Sequence, residues 1–424
     1  MGAAPPDSSR AYANMKKATA LLALLAAIAA LAALAVAALV DGAIAAFAAG
    51  LLAIVGLVLA VPAYGGRLAM ARQHLIDQGR PDLLQLANAD RSEEALLRGN
   101  LTPRAGALRG WLARRIYGHQ FLVGDPVRVR SYHEIRATLD PDGRLDGLPF
   151  MEEMTAFCGR QARVYRVVDK IYDYGRSREL RRIERSVLLV GLRCDGSKHN
   201  GCDAACYMIW KEAWLEPHAH HDVLTVSPTI DGPRQRPPMV AGATFSCQYT
   251  ELSHAARPMT DTHSHHRLEP WITGNLGTGA FFLAMATRAF NAFQERRRGI
   301  GYPWRPSSSA LASPTASASI QGGDWVRVRT PGEIAATLDA KGKNKGLWFD
   351  REMLKHCGQT FRVLGRVERI IDIKSTTMIP MKTPCIVLSG VHSSGEFLDF
   401  AEQHDYMYFR EAWLEPVETP DIGR

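Results

Sequence analysis

Residues 125–159 read DPVRVRSYHEIRATLDPDGRLDGLPFMEEMTAFCG, and residues 324–358 read DWVRVRTPGEIAATLDAKGKNKGLWFDREMLKHCG. The likeness runs without a gap to YMIWKEAWLEP, ending at Pro217, and YMYFREAWLEP, ending at Pro416. A constant offset of 199 relates Asp125 to Asp324, Cys158 to Cys357, Gly191 to Gly390 and Trp214 to Trp413. About 35 of the 93 aligned positions are identical. Self-similarity of that extent marks a module present twice.

Within each copy the pattern is strand-like. VRVR alternates apolar and basic residues, as a half-buried strand does. ARVYRVVDKIYDY (162–174) and FRVLGRVERIIDI (361–373) alternate again. RSVLLVGLRC (185–194) and PCIVLSGVHS (384–393) predict a further strand, HEIRATLD (133–140) a helical turn, and KEAWLEP or REAWLEP the closing element. Five or so short strands in about 93 residues are similar to a small, curled, SH3-like β-barrel. That likeness concerns fold and leaves function open.

Two apolar runs precede the modules, ATALLALLAAIAALAALAVAALV (18–40) and AIAAFAAGLLAIVGLVLAVPAY (43–64), parted by Asp41 and Gly42. Each is long enough to cross a hydrocarbon core of ~30 Å at ~1.5 Å per residue. Their many small residues allow two helices to approach closely, so a transmembrane hairpin is expected. Arg10, Lys16 and Lys17 before it, and Arg67 and Arg72 after it, place both flanks in the cytoplasm. Reading the first run as a cleaved signal sequence still leaves the second span, with the bulk on the same side. The expected location is the inner (cytoplasmic) membrane, the soluble part facing the cytoplasm. Disulfides seldom persist there. The net charge of +8 suits contact with anionic lipid. No basic run with interleaved aromatics suggests a nucleic-acid partner.

The fold class expected is therefore a membrane-anchored α+β chain. The N-terminal tail and transmembrane hairpin occupy 1–66, a juxtamembrane helical segment 67–121 and the first SH3-like repeat 122–218. A histidine-rich middle region with one helix (278–301) occupies 219–302, a Ser/Ala/Pro linker 303–322 and the second repeat 323–417. In the juxtamembrane segment, TPRAGALRGWLARRIYGHQF (102–121) begins with a Thr–Pro helix start. It is read as a helix either packed on the next module or lying on the lipid surface. VAGATFSCQYTEL (240–252) reads as a strand.

Three of the seven cysteines crowd into CDGSKHNGCDAAC (194–206). With Cys158 they give the first copy Cys158, Cys194, Cys202 and Cys206, four thiolates suited to a tetrahedral zinc ion. His199 is the alternative ligand. A helical reading of 202–206 puts Cys202 and Cys206 on one face. An iron–sulfur cluster is the alternative cofactor. The second copy keeps Cys357 but has Ser393, Ala401 and Asp405 where the first has Cys194, Cys202 and Cys206, so it cannot form the same site. His218, His220, His221, His254, His263, His265 and His266 read as loop histidines. Glu212 and Glu411 read as partners of barrel arginines such as Arg128 and Arg327. No G-x-S-x-G, P-loop, GxGxxG or HExxH pattern occurs, which weighs against an enzyme.

The wording CDGSKHNGCDAACYMIWKEAWLEP, with FSCQYTEL and REAWLEP, resembles a group of bacterial proteins of no assigned activity. The resemblance implies that the cysteine cluster is a family feature. It also implies cysteines in the second copy, where this chain departs. Three functions follow as expectations. The first is a membrane-anchored binding or scaffold protein with membrane lipid and an unidentified protein as partners. The second is a tethered redox or electron-transfer protein using an iron–sulfur cluster or reactive thiols. The third is an enzyme of unspecified type.

Overall fold

The computed structural model describes residues 8–39, 43–78, 107–218, 242–259, 266–304 and 319–419. The chain divides into two compact units. One comprises Met1–Leu86, Thr278–Pro314 and Val328–Gln359; the other comprises Ala87–Gly277, Thr315–Arg327 and Thr360–Arg424. Four helices matter below: α1 (Ser8–Leu39), α2 (Ala43–Asp77), α3 (Gln248–Ala255) and α4 (Thr278–Arg296).

In the first unit, α1 and α2 pack along each other. Both are rich in Ala and Leu, the strongest helix formers, and both are long and apolar enough to cross a membrane. A methyl group on Gly56 would stand 3.5 Å from the Ala26 carbonyl oxygen, so small residues set the helix spacing. Leu24, Ile28, Leu31 and Leu34 of α1 and Leu51, Ile54, Leu57 and Val58 of α2 point outward and stay exposed. The pattern changes towards the start of α1 and the end of α2, where Ala11, Met15, Ala18, Leu22, Ala69 and Ile76 are buried. There α4 packs on α2. A methyl on Gly65 would overlap the backbone of Ala286, so this crossing requires glycine. Gln294 of α4 donates to Asn14 at 3.0 Å. Trp304, 4 % exposed, donates its N–H to Gln73 at 3.3 Å. The stretch expected as a linker from 303 thus begins in packed structure, while 305–318 lies outside the described residues.

The second unit holds two antiparallel sheets. In the first, strands β1 (Pro126–Val129), β2 (Gln161–Tyr172), β3 (Leu180–Arg193), β4 (Tyr207–Lys211) and β5 (Leu215–Pro217) take the order β4-β3-β2-β1-β5. A single 3-10 turn, Glu212–Trp214, leads into β5. The core gathers Val127, Val164, Val187, Leu189, Ile209, Trp210 and Trp214. These are mostly the inward positions of the alternating stretches. The second sheet comprises β6 (Trp325–Val328), β7 (Thr360–Ile371), β8 (Met378–His392), β9 (Tyr406–Phe409) and β10 (Leu414–Pro416), in the order β9-β8-β7-β6-β10. Its pairs Val326↔Phe361 and Val363↔Leu388 answer Val127↔Ala162 and Val164↔Leu189 of the first.

The two sheets meet by reciprocal contacts. Asp203, from the cysteine-rich loop, accepts from the backbone N–H of Glu368 and Arg369 on β7 at 2.9 and 3.1 Å. Glu402, 199 residues on, accepts from the N–H of Asp169 and Lys170 on β2 at 2.7 and 3.0 Å. Each loop also docks through its own N–H, Asp203 on the Arg369 carbonyl and Glu402 on that of Lys170. Exchange of equivalent contacts is the logic of a twofold interface, here within one chain.

Several local expectations change. Residues 242–252 do not form the expected strand, 240 and 241 lying outside the described residues: Thr244 makes one bridge to Thr377 and α3 begins at Gln248. Tyr249, Leu252, Ala255 and Ala256 recur at helical spacing and are buried in the first core. Residues 202–206 are not helical either, because Asp203 is drawn into backbone pairing with β7. The helix expected over 102–121 is described from Ala107 to Leu112, followed by a wide turn to Tyr117; 102–106 lies outside the described residues. Arg109 donates to the Trp271 carbonyl at 3.1 Å, yet Leu108, Trp111 and Ile116 remain exposed. Arg128 and Arg327 pair with Glu216 and Glu415 rather than with Glu212 and Glu411. Glu212 instead accepts from the N–H of Gln120 at 3.1 Å, and Glu411 takes Arg366.

Candidate metal centre

The cysteine-rich loop is built from its glycines outward. Cys194 follows β3, and its N–H donates to the Cys206 carbonyl at 2.8 Å. Gly196 sits at φ 73°, and its carbonyl accepts from the N–H of His199 and Gly201. A methyl there would overlap the Cys202 carbonyl, so the loop closes only on glycine. The second copy makes the same loop. Ser393 N–H donates to the Asp405 carbonyl at 2.8 Å, and the Gly395 carbonyl accepts from Leu398 and Phe400. The loop backbone therefore forms without cysteine.

What the first copy adds is a group of donors. Glu153, on the one-turn helix Glu152–Phe157, brings Oε1 to 2.8 Å from His199 Nδ1 and 3.3 Å from Cys194 Sγ. Cys194 Sγ and His199 Nδ1 are 3.8 Å apart. Ligand atoms of all three lie within 4.8 Å of one another, a spacing that could hold a metal ion. The Glu153 and His199 side chains are each 8 % exposed. Glu153 Oε2 is buried with no hydrogen-bond partner among the described residues. An orphaned buried carboxylate oxygen costs free energy unless a cation or proton satisfies it.

Cys206 and Cys247 pack against the same core as Cys194, while Cys202 packs with Ile371, Met378 and Phe245. Burial pushes Cys194, Cys202, Cys206 and Cys247 above the ordinary thiol range, and nearby carboxylates, Glu153 for Cys194 and Cys247 and Asp405 for Cys206, raise them further. Backbone N–H groups pull the other way. Gly196 donates to Cys194, Ala204 and Ile371 to Cys202, and Thr250 and Tyr249 to Cys247. Burial prevails, so each of these thiols holds its proton more tightly than a free thiol does. Burial alone would depress His199, but the Glu153 carboxylate more than offsets it and raises the imidazole.

Of the expected ligands, Cys194 and His199 are brought to ligating spacing, with Glu153; Cys158, Cys202 and Cys206 are not in that group. Cys158 is half-buried against the first core, and burial raises its thiol. Glu153 was not among the expected donors. His254 and His266 of the middle region lie outside the triad, and His220, His221, His263 and His265 fall outside the described residues. No protein-family model, curated protein or solved structure matches the chain.

A second polar cluster lies on β2 and β3. His119 Nε2 stands 2.7 Å from Asp169, and Arg182 joins Glu269 at 2.8 Å. Asp169 and Arg182 line a cavity of about 380 Å³ with Ile116, Tyr117, Glu184, Arg185 and Arg257. Burial would strip His119 of its proton, but Asp169 and Glu212 overcome it and push the imidazole up to about 10. Burial, with Asp169 and Glu402, raises Glu269 to about 7 against the pull of Arg182.

Proposed function

We propose that the chain is a membrane-anchored, cytoplasm-facing binding or scaffold protein with two SH3-like modules, the first carrying a structural zinc ion. The orphaned Glu153 oxygen beside buried thiols and His199 carries the metal part of this reading. Thiolate and imidazole donors favour zinc over oxygen-seeking cations. The strand order β4-β3-β2-β1-β5, with a 3-10 turn before the last strand, supports an SH3-like barrel. The band of exposed Leu and Ile on α1 and α2 supports lipid contact there. The exposed Leu108, Trp111 and Ile116 support a second touch at the membrane surface. Burial that pushes the thiols upwards weighs against reactive redox cysteines.

The test uses the full chain in its host membrane and in detergent. Alkaline carbonate should leave the chain in the membrane pellet. A zinc chelator should lower the melting temperature of the wild type. Extraction into the supernatant would overturn the anchor, and a chelator-insensitive melt would overturn the structural metal.

A further inference from the structure

The cavity beside β2 and β3 carries charges that only the first copy has. Both sheets break register at the same place, between Val168 and Lys170 in the first and between Val367 and Arg369 in the second. Such a bulge re-aims the side chains on it. At the first bulge stand Arg182, Glu184 and Arg185; 199 residues on stand Met381, Thr383 and Pro384. The arginines are therefore an addition to a bulge that forms without them. Arg185 sits at φ 45°, a left-handed backbone uncommon for arginine, which the proline of the second copy cannot take. The charges lining the cavity are matched save one. Asp169 holds His119, Arg182 holds Glu269 and Arg257 holds Glu184. Arg185 is exposed and has no ion pair among the described residues. Its guanidinium abuts the end of the wide turn that closes at Tyr117: a methyl on Gly118 would stand 3.9 Å from it.

That turn supplies an apolar rim. Ile116 lines the cavity, and Ile116, Trp111 and Leu108 stay exposed, while Leu112, Ala113 and Tyr117 pack inward with Leu122 and Ile272. Arg114 and Arg115 are exposed on the same segment. We propose that the cavity takes the phosphate of an anionic phospholipid headgroup on Arg185, with the lipid's apolar part against Ile116, Trp111 and Leu108. The proposal rests on the reading that these three residues touch the membrane surface, and names the lipid they meet. A guanidinium presents paired N–H donors that match two phosphate oxygens. The cavity of about 380 Å³ is of the size that small-molecule sites have. Tryptophan beside it suits the headgroup level of a bilayer, and Arg114 and Arg115 add attraction to an anionic leaflet. A soluble phosphate would use Arg185 but gain nothing from Trp111. A zwitterionic lipid brings its own cation and gains less from an unmatched guanidinium.

The experiment is native mass spectrometry of the full chain released from detergent, offered equimolar phosphatidylglycerol and phosphatidylcholine. The first lipid bound by wild type should be phosphatidylglycerol with a preference of about tenfold, the worth of one charge-assisted hydrogen bond. Arg185→Gln should bring the two lipids to parity, and Arg185→Lys, which keeps the charge, should retain part of the preference. Trp111→Ser combined with Ile116→Ser should lower the phosphatidylglycerol adduct, and excess inorganic phosphate should leave the wild-type adduct in place. No preference in wild type, or an undiminished one in Arg185→Gln, would overturn the headgroup site while the doubly substituted chain still reports on the membrane touch. Displacement by inorganic phosphate would make the occupant a soluble anion and overturn the lipid. An unchanged adduct in the doubly substituted chain would sink the membrane touch and this proposal together.

Discussion

Single residues decide the chemistry. His119 is the clearest case of a charge kept by its surroundings. It is 2 % exposed, and Asp169 with Glu212 holds it protonated up to about 10 against an unfolded value of about 6.5. The folded state therefore binds the proton more tightly. The stabilisation is fully present below pH ~6.5 and is lost as pH rises towards 10. Melting of the full chain in detergent, followed from pH 6 to 10, should show a decline that His119→Asn removes. At neutral pH that variant should be destabilised by roughly 3 kcal/mol, since it strands buried carboxylates. Parallel pH profiles for the two proteins would contradict this. Within the metal centre, Glu153→Gln should weaken zinc binding by at least about 10–100-fold, read by competition with a chromophoric chelator. Unchanged affinity would remove Glu153 from the metal centre.

At the scale of elements, the cysteine-rich loop depends on glycine geometry. Gly196→Ala meets both a left-handed φ and the Cys202 carbonyl. Gly159→Ala meets a left-handed φ of 77° but open space. The second should cost about 1 kcal/mol, and the first several times more, with loss of bound zinc. Equal losses in denaturant unfolding would refute the contrast. VRVR was legible as a strand because its burial alternates, whereas the RVYRVVDKI stretch is buried on both faces and was legible from its apolar and β-branched residues. Cys194 and His199 were legible because they share one short cysteine-rich loop. Glu153 was hidden. Its place on a one-turn helix beside Cys158 drew attention to the cysteine, while the carboxylate two elements away from His199 is what the fold delivers. The expected strand at 240–252 failed because Tyr249, Leu252 and Ala255 bury with a period nearer three than two.

For the whole molecule, the second unit is held across its seam by two equivalent carboxylates. Asp203 and Glu402 each accept two backbone N–H groups from the opposite sheet. Hydrogen bonds to a charged acceptor contribute about 1.5–3 kcal/mol each when broken. Asp203→Ala should therefore split a single denaturant transition into two, with tryptophan fluorescence and far-ultraviolet circular dichroism no longer coincident. A single coincident transition at an unchanged midpoint would show that the sheets do not depend on this seam. The metal loop and the seam are the same stretch of chain, since Asp203 follows Cys202 directly. An ion in this loop thus bears on how the two sheets stay joined as well as on the first module.

The central claim is one structural zinc ion per chain at these buried donors. Elemental analysis of the full chain, purified in detergent under reducing conditions, measures it directly. The account predicts about one equivalent of zinc that survives desalting; less than about half an equivalent of any transition metal would contradict it.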